Sequence, residues 1–135
     1  MVAARGITPV LSFALDEAQL RKATLCVLYV KEVAVYYTAG GTALGRAKWQ
    51  DDPQANAIMS LMLKLGSERG VNVVPIYAVS QDAAATIVDL SATMGVDFLV
   101  IGATQRTAMA KLLRGSVTTN VVQQLPDSIH LVIFG

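Results

Sequence analysis

Phe98-Leu99-Val100-Ile101-Gly102 and, thirteen positions after its glycine, Gly115-Ser116-Val117-Thr118-Thr119-Asn120-Val121-Val122 decide the fold. The first is a continuous apolar run closed by glycine, the mark of a strand covered on both faces. The second opens with Gly-Ser and continues at helical spacing. Glycine at a strand's carboxyl end lets a backbone approach a ligand closely, and unpaired N–H groups at a helix start face negative charge. Together they read as a phosphate cradle. Between them, Ala103 to Arg114 carries Arg106, Lys111 and Arg114 and no acid. The plainer reading of the same glycines is that they serve only turns.

Outward from this segment, short apolar runs alternate with capped helical patterns. Strand-like runs lie at Thr24 to Lys31, Val71 to Val79, Val96 to Ile101 and Ile129 to Phe134, and Met1 to Gly6 reads as the tail of a further strand. Thr8-Pro9 signals a helix start before Leu11, Ala14, Leu15 and Ala18. Asp52-Pro53 repeats that signal before Ile58, Met62 and Leu65, with Gly70 as the stop. Gln81-Asp82 precedes Ile87, Leu90 and Met94, with Gly95 ending the helix. The last helix begins at Ser116, places Val117, Val121 and Leu125 on one side, and stops at Pro126.

Alternation of strand and helix predicts a single α/β domain over residues 1–135. It is a doubly wound, Rossmann-like five-stranded parallel sheet with helices on both faces. Pro75 cannot donate a ladder hydrogen bond and prefers an edge, which fits the strand order 3-2-1-4-5. The switch point of that order lies between strands 1 and 4, where Arg5-Gly6 meets Gly102, so topology puts a ligand at the same glycine cradle.

Composition sets the class. The chain has 135 residues, 53% of them hydrophobic, with a formal net charge of +1 and a mean hydropathy of +0.49. No apolar run approaches the roughly 18 residues of a membrane span, and the balanced charge gives no footprint for nucleic acid or for an anionic membrane. Cys26 is the only cysteine; it sits in an apolar run as a small core residue and excludes an intrachain disulfide or a cysteine metal cluster. Met1 to Gly6 has no long apolar leader, so a reducing, cytoplasmic setting is expected. The stretch Glu32 to Asp51 shows no periodicity. Its Tyr36, Tyr37 and Trp49 read either as a lid that stacks on a base or as anchors, Trp49 pinning the entry to the second helix.

The chain resembles the universal stress protein family. That family carries glycine, two residues, glycine, nine residues, then glycine with serine or threonine after its fourth strand; here the same positions read Gly102-Ala103-Thr104-Gln105, nine residues, Gly115-Ser116. Three stretches are similar to the subgroup attached to amino-acid permease-type transporters: Thr8-Pro9-Val10-Leu11, Leu28 to Val35, and Trp49-Gln50-Asp51-Asp52-Pro53. The resemblance implies a regulatory domain that binds an adenine nucleotide (ATP, AMP or a cyclic (di)nucleotide) with no metal required, and with a transporter membrane domain as a partner. On that reading the chain is the cytosolic domain of a membrane transporter.

Carried over position by position, the resemblance puts Ala4, Arg5, Gly6 and Val30 beside the nucleoside. Ile101, Gly102, Ala103 and Thr104 form the floor, Gly115, Ser116, Val117 and Thr118 hold phosphates, and Arg106 and Arg114 are outer cations. Two positions depart from the pattern. Gln105 stands where the signature has glycine and crowds the loop. Arg5 stands where many ATP-binding members have aspartate; it cannot accept a hydrogen bond, so it meets an adenosine differently or faces a phosphate.

Enzyme chemistry is not expected beyond incidental ATP hydrolysis. His130 is the only histidine and sits in a strand-like run, facing a neighbouring strand or an interface, far from Ser116. The chain carries no Gly-Lys-Ser/Thr loop for a magnesium nucleotide. Strand 5, Ile129 to Phe134, is an apolar edge without lysine or proline. The family commonly pairs this strand with its twin, so a homodimer is expected. The competing reading is a nucleotide-free dimerisation module on the same fold.

Overall fold

Parallel strands and capped helices alternate along the computed structural model, which describes residues 1–33, 48–102 and 117–134. The elements are β1 (Val2–Ala4), α1 (Pro9–Arg21), β2 (Leu25–Glu32), a 3-10 turn (Trp49–Asp51), α2 (Pro53–Arg69), β3 (Val73–Ser80), α3 (Ala83–Thr93), β4 (Phe98–Gly102), α4 (Val117–Gln124) and β5 (His130–Phe134). The strands form one five-stranded sheet in the order β3-β2-β1-β4-β5, every pairing parallel. Pro75 lies on the edge strand β3, opposite Val27.

Side chains alternate across the strands and feed a core on each face. Val2, Ala4, Val27, Tyr29 and Val100 pack with Leu11, Leu15, Ile58, Met59 and Met62 of α1 and α2. Leu28, Leu99 and Ile101 pack with Ile87 and Val88 of α3 and Val121 of α4. Leu15, Leu28, Ile58, Met62 and Leu99 are fully buried, and truncating any of them to alanine costs about 2–5 kcal/mol.

The expected strands begin one or two residues too early. Val71 and Ile129 are buried but do not enter the ladder. Val71 donates to the Gly66 carbonyl at 2.8 Å and Ile129 to the Pro126 carbonyl at 3.1 Å, while Val96 donates to the Ser91 carbonyl at 3.1 Å. Hydrophobicity registers burial, and Val71 and Ile129 are buried and Val96 half-buried while finishing turns. Met94 also departs from its expected stripe. It follows the last residue of α3 as the C-cap and is 44% exposed, because the helix ends before its side chain turns back to the sheet.

Helix starts follow the sequence signals with one chemical exception. Asp52 accepts from the N–H groups of Gln54 and Ala55, Asp82 accepts from that of Ala85, and Gly70 closes α2 at φ +69°. Thr8 occupies the N-cap position of α1 but makes no side-chain capping bond; Pro9 supplies the helical φ instead. Within the stretch from Glu32 to Asp51, Glu32 completes β2 and Trp49–Asp51 form a 3-10 turn, elements its sequence did not suggest. Trp49 packs against the α1–α2 core, as the anchoring reading has it. Tyr36 and Tyr37 lie outside the described residues. No described helix is long and apolar enough to cross a membrane.

Candidate functional site

At the carboxyl ends of β1, β2 and β4 the sheet opens into a cavity of about 520 Å³. This is where the chain direction reverses, since β1 leads through α1 to β2 while β4 leads toward β5 on the other side. The volume falls within the roughly 300–1,000 Å³ typical of small-molecule sites. Its walls are mostly apolar: Leu28, Val30 and Ile101 from the strands, Ala83 and Ile87 from α3, and Phe134 from β5. The first residues of α4, Val117 and Thr118, border it, as do Thr8, Pro9 and Val10 at the start of α1. Both helices therefore turn their positive ends toward the space.

Of the residues singled out from the sequence, Ala4, Arg5, Val30, Ile101, Gly102, Val117 and Thr118 line this one cavity. Gly6 does not line it, and a Cβ there would meet nothing within 4 Å. No close approach demands its glycine. Neither conformation nor packing within the domain demands the glycine at Gly102: its φ is not positive, and a Cβ would make only ordinary contact with Val10 at 3.8 Å. Ala103, Thr104, Gln105, Arg106, Arg114, Gly115 and Ser116 lie outside the described residues.

Glu32 was not among the expected residues, yet it lines the cavity beside Arg5. The Arg5 guanidinium lies 3.3 Å from Glu32 Oε1, both side chains about half exposed. The signal for Glu32 is its spacing. Leu28, Val30 and Glu32 alternate along β2, so all three reach the same face of the sheet. Tyr29 and Lys31 point the other way and serve α2. Tyr29 donates its hydroxyl to Gln54 Oε1 at 3.0 Å, and Gln54 Nε2 donates to the Arg5 carbonyl at 2.7 Å. The backbone beside the cavity is thus braced from the opposite face. Thr8, with no capping duty, and Ile87, on the apolar stripe of α3, are among the other lining residues that the sequence did not assign.

His130 lies at the other end of the strands. It is exposed and stacks on Phe98 of the neighbouring strand at 5.1 Å between ring centroids, while Arg21 lies 4.1 Å over the same Phe98 ring. Cys26 is half buried and packs with the α3–α4 core. Among the described residues, no group of three or more His, Cys, Asp or Glu is placed to hold a metal ion.

A parallel sheet wound in both directions from β1 and β4, with a cavity at the point of reversal, defines a doubly wound α/β domain. More narrowly, the chain belongs to the universal stress protein family, whose profile matches residues 8–132. Solved structures share the fold. A universal stress protein from Archaeoglobus fulgidus in complex with dAMP is 24% identical, with a TM-score of 0.64 over 99% of this chain and 94% of that one. A universal stress protein in complex with cAMP is 18% identical, with a TM-score of 0.72 over 99% and 94%. A family protein from Arabidopsis thaliana with AMP bound is 12% identical, with a TM-score of 0.60 over 99% and 91%. No curated protein matches the chain.

Proposed function

We propose that this chain is a nucleotide-binding regulatory domain whose ligand is an adenine nucleotide: ATP, AMP or a cyclic (di)nucleotide. The observation that carries the reading is the 520 Å³ cavity at the switch point, apolar along its strand walls and bordered by the amino ends of α1 and α4. Its apolar surface suits a base, and a helix start suits phosphate oxygens. Family structures in complex with dAMP, cAMP and AMP support the choice of adenine.

In this reading Val30, Leu28 and Ile87 pack on the nucleoside, and Val117 and Thr118 hold phosphates through backbone N–H and hydroxyl groups. Arg5 adds a cation at the rim. The domain is not an enzyme: it supplies binding and a change of population in a surface that a partner reads. That partner is a transporter membrane domain, on the strength of the three transporter-like stretches. Two of these stretches, Leu28 to Val35 and Thr8 to Leu11, contribute Leu28, Val30, Glu32, Thr8, Pro9 and Val10 to the cavity wall, which gives a bound nucleotide a direct route to them. The setting is cytoplasmic.

The domain acts as a homodimer through β5. Ile133 on that edge strand is 49% exposed and Val122 on the adjoining α4 is 51% exposed. The same surface favours the second reading, a dimerisation module that keeps the fold without the ligand. Isothermal titration calorimetry with AMP, ATP and cAMP decides between them. Saturable binding of any of the three supports the first reading. No heat with all three, together with no nucleotide released from freshly purified protein in a native mass spectrum, overturns it in favour of the second.

A further inference from the structure

We propose that Glu32 accepts hydrogen bonds from the vicinal hydroxyls of a ribose, so that the site prefers ribonucleotides to 2′-deoxyribonucleotides. The inference rests on the nucleotide reading above and deepens it. Glu32 is the acid among the described residues of the cavity wall, and it closes β2 on the same strand face as Leu28 and Val30. Arg5 engages its Oε1 at 3.3 Å. A carboxylate offers about four lone-pair sites, so that contact fixes the group without exhausting it.

The chemistry of a nucleotide limits what can meet it. A carboxylate accepts and does not donate, and it repels phosphate. The reading above puts phosphate at Val117 and Thr118, the start of α4, which follows β4, and β1 stands between β4 and β2 in the sheet. Phosphate and carboxylate therefore occupy opposite sides of the switch point, leaving the nucleoside to face Glu32. Adjacent sugar hydroxyls present a pair of donors that matches the paired oxygens of a carboxylate. In dinucleotide-binding folds whose sheet begins with the same strand order, an acid following the second strand meets a ribose hydroxyl in this way. Arg5 is then a positioning residue that holds the carboxylate at the rim.

The test compares AMP with 2′-deoxy-AMP by isothermal titration calorimetry, on the unaltered chain and on Glu32→Ala. Glu32 is half exposed, so the substitution leaves the fold intact, and thermal melting followed by circular dichroism verifies this. The unaltered chain is expected to bind AMP roughly tenfold more tightly than the deoxy form, the worth of one charge-assisted hydrogen bond. In Glu32→Ala the two affinities should converge. The ratio is the readout, because releasing Arg5 changes the affinity for both phosphates alike. Equal binding by the unaltered chain, or a preference that survives in Glu32→Ala, overturns this inference and leaves nucleotide binding standing. No binding of either nucleotide overturns the nucleotide reading, and the inference with it.

Discussion

The Tyr77 hydroxyl donates to Asp52 Oδ2 at 2.9 Å, tying the edge strand β3 to the start of α2. Asp52 is 8% exposed and also accepts from the N–H groups of Gln54 at 3.0 Å and Ala55 at 3.2 Å. Lys31 approaches it at 3.8 Å. One carboxylate thereby caps a helix, holds an edge strand and faces a cation.

That arrangement gives stability a pH dependence at both extremes. Burial raises the Asp52 carboxyl, but the Tyr77 hydroxyl, the Ala55 N–H, Lys31 and the Gln54 N–H outweigh it, so the group sits below its ordinary 3.8. Its contribution is complete above pH 3.8 and is lost as the pH falls through the lowered value. Burial, the hydrogen bond to Asp52 and its charge push Tyr77 up from 10.0 to about 12. That contribution is complete below pH 10 and disappears as the pH rises through about 12. Urea midpoints measured across the range should decline at both ends. Tyr77→Phe should flatten the alkaline limb and Asp52→Asn the acid limb. An unchanged alkaline slope in Tyr77→Phe would assign that limb to other groups.

Gly66→Ala should destabilise although it sits in the middle of α2. Alanine is favoured over glycine by about 1 kcal/mol in a helix interior. Against this, a Cβ at Gly66 would lie 2.5 Å from Val73 Cγ2 and 2.8 Å from the Val71 carbonyl oxygen. The carbonyl belongs to the turn that feeds β3 and cannot yield without moving the strand. Overpacking of this kind costs typically about 1–3 kcal/mol, so, less the helix gain of about 1 kcal/mol, a net loss of about 1 kcal/mol is expected. Urea unfolding measures it, and a gain in stability would mean the helix slides freely on β3.

Gly102→Val should leave the fold intact and remove nucleotide binding. The Cβ meets only Val10 at ordinary contact distance, and valine suits a strand better than glycine. Its two methyl groups enter the cavity where the backbone is otherwise bare. An affinity for AMP lowered at least tenfold, about 1.4 kcal/mol, is expected by calorimetry, with Gly102→Ala intermediate. Full affinity in Gly102→Val would place the ligand elsewhere.

Substitutions on β5 should separate assembly from folding. Ile133 is 49% exposed, whereas Val132 packs against the α1–α2 core. Under the proposed pairing, Ile133→Lys should yield a folded monomer by sedimentation equilibrium. Val132→Lys should unfold, because it takes a charge into an apolar layer. A monomeric unaltered chain at tens of micromolar, on the order of ordinary assay concentrations, would refute the pairing.

The sequence alone determined the element order, the strand order 3-2-1-4-5 and the end of the sheet at which the cavity lies. These follow from local rules: continuous apolar runs, proline's missing donor, and cap residues such as Asp52 and Gly70 act within a few positions of chain. Seven expected residues, among them Val30, Gly102 and Thr118, meet at one cavity because topology forces strand ends and helix starts together. The tertiary structure alone decided which side chains complete that site. Glu32 reads as the first residue of a stretch without periodicity; alternation with Leu28 and Val30 sets its face, and the sheet pairing that brings it beside Arg5 makes it part of the cavity wall. Gly66 lies in the interior of α2, and only the close approach of β3 explains a glycine there. Such roles depend on distances between elements far apart in the chain, and no local rule encodes them.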